Sequence, residues 1–138
     1  VQFLGDLSPI DATLKSAIHD IEQKTAKFDT FQLNIMFNYG GRAEIIHAVK
    51  QYALDGHSIH NLTEDALSQY LYTSTINDPD ILIRTSGTQR ISNFMIWQCS
   101  YTEFFFIDTL WPDFDMDDLV NVIRNYQQRE RRFGGVSE

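Results

Sequence analysis

The residues best suited to chemistry lie in one short segment, from Ile83 to Asn93. An apolar run ends at Arg84, a glycine-containing loop follows, and Arg90 and Ser92 stand before a predicted helix. Arginine presents its N–H donors in a planar fork that matches phosphate and carboxylate oxygens. Together with a hydroxyl and the N–H groups of a helix start, the two guanidinium groups predict a site for a multiply charged anion, with diphosphate as the candidate.

A structural alternative accounts for the same residues without a ligand. Arg84 could pair with a neighbouring acid such as Asp80, and Ser92 could serve only as a helix cap. A second group of arginines, at 124–132, is equally compatible with surface ion pairs to acids such as Glu130. The sequence leaves both interpretations of each group open.

Short strands and helices in alternation must position these residues. Apolar runs predict strands at 1–4, 32–37, 81–83 and 103–107, with the third buried on both faces. Helical spacing predicts helices that begin at Ser8, beyond Gly41, at Asn61 or Thr63, near Asn93 and at Asp115. The helix beyond Gly41 is predicted to present a stripe of four residues, Ile45, Val49, Tyr52 and Ala53.

Strands separated by helices require crossover connections, which predict an α/β fold with a parallel sheet flanked by helices. Ligands of such sheets bind beyond the carboxyl ends of the strands. That rule selects the loops after Gly5, at 38–42 and at 84–92. The chain shows no repeat, low-complexity tract or linker, so we expect residues 1–138 to form a single domain.

Composition narrows the class of protein. Of the 138 residues 43% are hydrophobic, which is enough for one core. The formal net charge of -8 argues against nucleic-acid binding, which requires a basic face. No run approaches the roughly 20 apolar residues of a membrane span. The lone Cys99 predicts a buried thiol in a reducing compartment, so we expect a cytoplasmic protein.

Six stretches carry a resemblance to a known family: 1–6, 33–34 with 38–42, 80–93, 97–103, 108–114 and 129–135. In this order they resemble the carboxyl-terminal part of the cis-prenyltransferases, and most of all the bacterial undecaprenyl diphosphate synthases. The resemblance runs nearly from end to end. It implies the fold of that family without its amino-terminal portion.

The resemblance also implies roles for particular residues. Arg84, Arg90 and Ser92 match the catalytic residues that hold the diphosphate of isopentenyl diphosphate. Glu103 matches the glutamate that helps to bind Mg²⁺. Mg²⁺ accepts one carboxylate together with phosphate oxygens and waters, so this role is chemically reasonable.

The end of the chain matches a further motif of the family. Residues 131–135 resemble the terminal motif that reaches the active site across a dimer interface, which makes Arg132 and Gly134 candidate substrate-binding residues. A solvated basic helix end, favoured by the helix dipole, is the structural alternative. The resemblance therefore implies a homodimer.

The reaction implied is the condensation of isopentenyl diphosphate onto an allylic diphosphate such as farnesyl diphosphate, with cis geometry at each new double bond. The product would be a long-chain undecaprenyl diphosphate, the lipid carrier for cell-wall glycan synthesis. We expect no nucleic-acid partner, and association of the parent enzyme with membranes only through its lipid product.

Some parts of the family pattern are absent or altered. The amino-terminal phosphate loop with its aspartate does not occur in the 138 residues, so we expect these residues alone to be inactive. The Gly-Gly-Glu of the family appears as Ser86-Gly87-Thr88. Two alternatives stay open: a catalytically silent partner subunit, and a stand-alone diphosphate-binding module.

Overall fold

The computed structural model describes residues 1–129. It divides into two compact units, Val1–Asn77 and Asp78–Glu138. The expectation of a single domain over 1–138 stays a prediction.

The first unit contains a pair of parallel strands and three α-helices. Strands β1 (Gln2–Leu4) and β2 (Asn34–Met36) pair with Gln2 opposite Asn34. The helices are α1 (Ala12–Thr25), α2 (Gly41–Leu54) and α3 (Glu64–Ser68), with a 3₁₀ turn at Ile59–Asn61 between the last two. The buried apolar side chains of this unit are Leu4, Ile18, Ala48, Tyr52, Leu67 and Leu71.

The second unit is built on another parallel pair. Strand β3 (Ile81–Arg84) lies beside β4 (Glu103–Phe106), with Ile81 opposite Glu103 and Arg84 opposite Phe106. Two 3₁₀ turns, Gln98–Tyr101 and Trp111–Asp113, flank β4, and α4 (Met116–Gln127) follows. The buried apolar side chains are Met95, Cys99, Phe105 and Val122.

The predicted α/β class with parallel strands is confirmed. The strands form two ladders of two, β1–β2 and β3–β4, where the sequence predicted one parallel sheet. The prediction that the third strand is buried on both faces is wrong, because every residue of β3 is half-buried. Burial raises the pKa of the Cys99 thiol, in agreement with the expected buried cysteine.

The predicted helix starts differ in outcome. The cap predicted at Ser8 is wrong: the Asp6 carboxylate accepts the Ser8 N–H at 2.9 Å and holds that residue in a turn. Asp11 caps α1 instead, because its carboxylate accepts the Leu14 N–H at 3.0 Å. The caps at Thr63 and Asp115 are confirmed.

The buried face of α2 is shifted from the predicted stripe. Glu44, Ala48 and Tyr52 are its buried residues beyond the first helical position, whereas Ala53 is exposed and Ile45 and Val49 are half-buried. A glutamate thus takes a core position at helical spacing, which a purely apolar pattern does not reveal. Over residues 1–129, no helix is both long and apolar enough to cross a membrane.

A glycine immediately after β1 provides a test of the first unit. Gly5 has φ 139°, and a Cβ there would lie 2.1 Å from the Phe37 carbonyl oxygen. We predict that Gly5→Ala destabilises the protein by more than about 2 kcal/mol, because the backbone must move in addition to adopting a strained φ. Urea unfolding measures the effect.

Gly56→Ala is the matched control. Gly56 also has a positive φ, 84°, but no atom lies within 4 Å of the added carbon. Its cost is therefore the conformational part alone, about 1–2 kcal/mol. Equal losses of unfolding free energy in the two variants would contradict the steric account of Gly5.

Candidate anion-binding site

The site begins at the last residue of β3, an arginine at the carboxyl end of that strand. The Arg84 guanidinium donates from Nη1 to the Ser92 hydroxyl oxygen at 2.9 Å and also to the Arg90 carbonyl oxygen. Arg90 donates from Nε to the same Ser92 hydroxyl oxygen at 3.2 Å. The structure therefore brings the three residues selected from the sequence together around one oxygen atom.

The loop that carries these residues is fastened to the chain beyond β4. The Ser86 N–H donates to the Thr109 carbonyl at 2.9 Å, and the Gly87 N–H donates to the Ile107 carbonyl at 2.8 Å. These backbone donors serve the loop and do not contribute to anion binding. The loop thus has a defined shape, and the anion-binding capacity comes from side chains.

One part of the predicted site is wrong. No helix begins at Ser92, because Ser92, Asn93 and Met95 have φ values of 48°, 64° and 45°, outside the right-handed helical region. A helix N-terminus therefore supplies neither its dipole nor its N–H groups to this site. Each left-handed residue other than glycine costs about 1–3 kcal/mol, so the surrounding contacts must hold the loop in a strained conformation.

The electrostatics favour an anionic ligand. In the part of the chain that the structure describes, neither Arg84 nor Arg90 is paired with a carboxylate. Asp80, the alternative partner suggested by the sequence, accepts a hydrogen bond from the Tyr126 hydroxyl at 3.2 Å. Two cations directed at one neutral hydroxyl repel each other. An anion between them would offset that repulsion and use their remaining N–H donors.

The position of Glu103 differs from what a shared metal site requires. It is the first residue of β4, three residues before Phe106, which lies opposite Arg84. At about 3.3 Å per residue, the backbone of Glu103 lies roughly 10 Å from that of Arg84 along the strand direction, at the opposite end of the strand pair. Its carboxylate forms an ion pair with Arg129.

Glu103 belongs to no cluster of three or more metal-ligating side chains among the described residues. Its carboxylate faces the Arg129 cation. The metal-binding role of Glu103 stays a prediction, without support from the arginine site of its own chain. Arg132 and Gly134 lie outside the described residues.

The sequence analysis missed a buried carboxylate in the first unit. Glu44 is fully buried, and it accepts hydrogen bonds from the Tyr39 hydroxyl at 2.6 Å and the Tyr72 N–H at 3.0 Å. These bonds join the 38–42 loop, one of the three loops predicted to face a ligand, to the segment after α3. The only signal was an acid at helical spacing from Ala48 and Tyr52, four and eight residues before them.

Comparison with known proteins identifies the family. The family model for undecaprenyl diphosphate synthases, Prenyltransf, matches residues 1–134 of the 138. The chain belongs to the cis-prenyltransferases. The resemblance inferred from the sequence motifs is thereby confirmed.

Particular cis-prenyltransferases show the extent of the match. The chain is 45% identical to the tritrans,polycis-undecaprenyl-diphosphate synthase (geranylgeranyl-diphosphate specific) of Thermoplasma acidophilum, covering 97% of this chain and 54% of the relative. It is 48% identical to the isoprenyl transferase of Fusobacterium nucleatum, covering 96% and 56% of the two chains. The chain therefore spans about half the length of these relatives.

A solved structure agrees. The crystal structure of lavandulyl diphosphate synthase from Lavandula x intermedia, in complex with dimethylallyl diphosphate, matches with a TM-score of 0.91 and 34% identity. The match covers 97% of this chain and 59% of the other. At this identity the likeness accords with membership of the cis-prenyltransferases.

Gly87 tests whether the shape of the loop matters for anion binding. Its φ is 66°, and an added Cβ would lie 2.8 Å from a carboxylate oxygen of Asp108. We predict that Gly87→Ala in the full-length protein weakens binding of inorganic pyrophosphate about tenfold, or about 1.4 kcal/mol, because alanine is strained at this φ and the Asp108 carboxylate must move away from the added carbon. Isothermal titration measures this, with Gly56→Ala as the control. Unchanged pyrophosphate affinity in Gly87→Ala would contradict the requirement for this loop shape.

Proposed function

We propose that this chain supplies the isopentenyl diphosphate site of a cis-prenyltransferase, with the diphosphate held by Arg84, Arg90 and Ser92. The observation that carries the proposal is that both guanidinium groups converge on the Ser92 hydroxyl, with no carboxylate partner among residues 1–129. The accessibility of the group supports it, because Arg90 and Ser92 are exposed and Arg84 is half-buried. The family match supports a diphosphate as the anion.

In the complete enzyme, the double bond of isopentenyl diphosphate attacks the allylic carbon of the second substrate. A carbon–carbon bond forms, the allylic carbon–oxygen bond breaks with its electron pair leaving on diphosphate, and loss of a proton creates the new cis double bond. The arginines act on the homoallylic substrate, which is not the one that loses diphosphate. Their contribution is to orient its double bond and to reduce repulsion between two anionic substrates.

The allylic substrate and the product are finer parts of the same proposal. We infer farnesyl diphosphate as the allylic substrate and a long-chain undecaprenyl diphosphate as the product, a lipid carrier for cell-wall glycan synthesis. The Thermoplasma relative is named for geranylgeranyl diphosphate, and the lavandulyl enzyme was solved with dimethylallyl diphosphate. Because these relatives differ in allylic substrate, chain elongation must be assayed with more than one of them.

The cofactor and the partners belong to the complete enzyme. Enzymes of this family depend on Mg²⁺, which supplies positive charge to the departing diphosphate when bound. We propose that Glu103 would supply one carboxylate to that ion, with phosphate oxygens and waters as its other ligands. We also propose a cytoplasmic homodimer in which Arg132 and Gly134 contact the substrate across the interface, with membrane contact only through the lipid product.

Arg90 gives the most specific test of substrate binding. We predict that Arg90→Ala in the full-length enzyme raises the KM for isopentenyl diphosphate roughly tenfold to hundredfold, since a charged hydrogen bond contributes about 1.5–3 kcal/mol. The KM for the allylic diphosphate changes little. Elongation of labelled isopentenyl diphosphate with farnesyl, geranylgeranyl and dimethylallyl diphosphate measures both constants.

Arg124→Ala is the matched control, because Arg124 is an exposed arginine on α4 with no part in the site. It should elongate chains as the wild type does. Failure of the wild type to elongate any allylic diphosphate in the presence of Mg²⁺ would overturn the enzymatic proposal. If such a protein still binds pyrophosphate, a silent subunit or a binding module becomes the better account.

A further inference from the structure

Arg129, two residues beyond the end of α4, makes two side-chain contacts with β4. Its guanidinium forms an ion pair with the Glu103 carboxylate, and its central carbon lies 4.3 Å from the centroid of the Phe105 ring. Glu103 and Phe105 are two positions apart on one strand, so their side chains lie on the same face of the pair. Arg129 therefore lies across one face of β4.

A second contact holds the same end of α4. Tyr126, three residues before Arg129, donates its hydroxyl to the Asp80 carboxylate at 3.2 Å. Asp80 precedes β3, and its carbonyl accepts the Glu103 N–H at 3.0 Å. The last turn of α4 and the residues that follow it thus contact β4 and the residue before β3, at the end of the strand pair opposite Arg84.

We propose that Arg129 is a positioning residue: through Glu103 and Phe105 it clamps the end of α4 to β4. The clamp fixes the position of Arg129, which immediately precedes residues 130–138 in the sequence. This inference rests on the proposed function, because those residues include Arg132 and Gly134, the candidates for substrate contact. It gives Glu103 a role within its own chain, apart from any contact with metal.

The small free energy expected of the Arg129–Glu103 ion pair distinguishes a positioning role from a general contribution to the stability of the protein. The side chains of Arg129 and Glu103 are 44% and 28% exposed, and ion pairs this open to solvent contribute little to unfolding free energy. Contact with the aromatic face adds a directional preference that lysine reproduces less well than arginine. A clamp of this kind is expected to change local order and substrate affinity more than the melting temperature.

The test uses five variants of the full-length protein: R129M, which keeps the apolar stem but removes the charge, R129K, E103Q, the E103Q/R129M double variant, and R124M as a control. Hydrogen exchange of the backbone amides at 125–129 reports the order of the helix end without any substrate. We expect exchange about threefold to tenfold faster in R129M, an intermediate rate in R129K, and the wild-type rate in R124M.

Coupling decides whether Arg129 acts through Glu103. If the pair is the operative contact, the double variant exchanges no faster than R129M, because each single change already removes the interaction. The KM for isopentenyl diphosphate should rise severalfold in R129M at an unchanged melting temperature. R129K should restore part of that KM.

Exchange in R129M equal to that in R124M, or additive effects in the double variant, would overturn the clamp. Faster exchange with an unchanged KM would overturn its positioning role. If the wild type elongates no chain, the proposed function fails, whereas the exchange measurements still decide whether the clamp exists.

Discussion

The second unit depends on holding two like charges at the end of one strand. Arg84 and Arg90 both donate to the Ser92 hydroxyl, in a loop whose backbone passes repeatedly through the left-handed region. The charge repulsion and the backbone strain both raise the free energy of this arrangement. Hydrogen bonds to the chain beyond β4 hold the loop in place against them. An arrangement of this kind is preorganised for an anion, because the cost of bringing the donors together is met before the ligand arrives.

The two ends of the parallel strand pair β3–β4 have different roles. The carboxyl end presents the cations, as expected for ligand sites of parallel sheets. The amino end receives α4 through contacts with Asp80, Glu103 and Phe105. Glu103, which the family resemblance connects with Mg²⁺, lies at the end of the strand pair opposite Arg84. A metal-binding role for Glu103 must therefore be tested separately from the arginine site.

Local sequence signals predicted much of this architecture. The four strands, their parallel pairing and the caps at Thr63 and Asp115 follow from apolar runs, crossover connections and acceptor side chains at helix starts. The signals failed where one side chain competed with another or where the backbone left the usual regions. The Asp6 carboxylate accepts the Ser8 N–H and keeps Ser8 in a turn. The helix predicted near Asn93 does not form, because residues 92, 93 and 95 have positive φ values. Buried Glu44 was missed because an apolar pattern does not mark a carboxylate as a core residue, and because the Tyr72 N–H that it accepts is 28 residues away.

The convergence of Arg84 and Arg90 is also the claim most open to direct measurement. A double-mutant cycle with Arg84→Ala and Arg90→Ala, followed by titration of the full-length protein with isopentenyl diphosphate, determines whether both groups act on one ligand. If they hold the same diphosphate, the two losses of binding free energy are not additive, with a coupling of about 0.5–3 kcal/mol. Additive losses, with each single variant weakening binding independently of the other, would contradict a shared site.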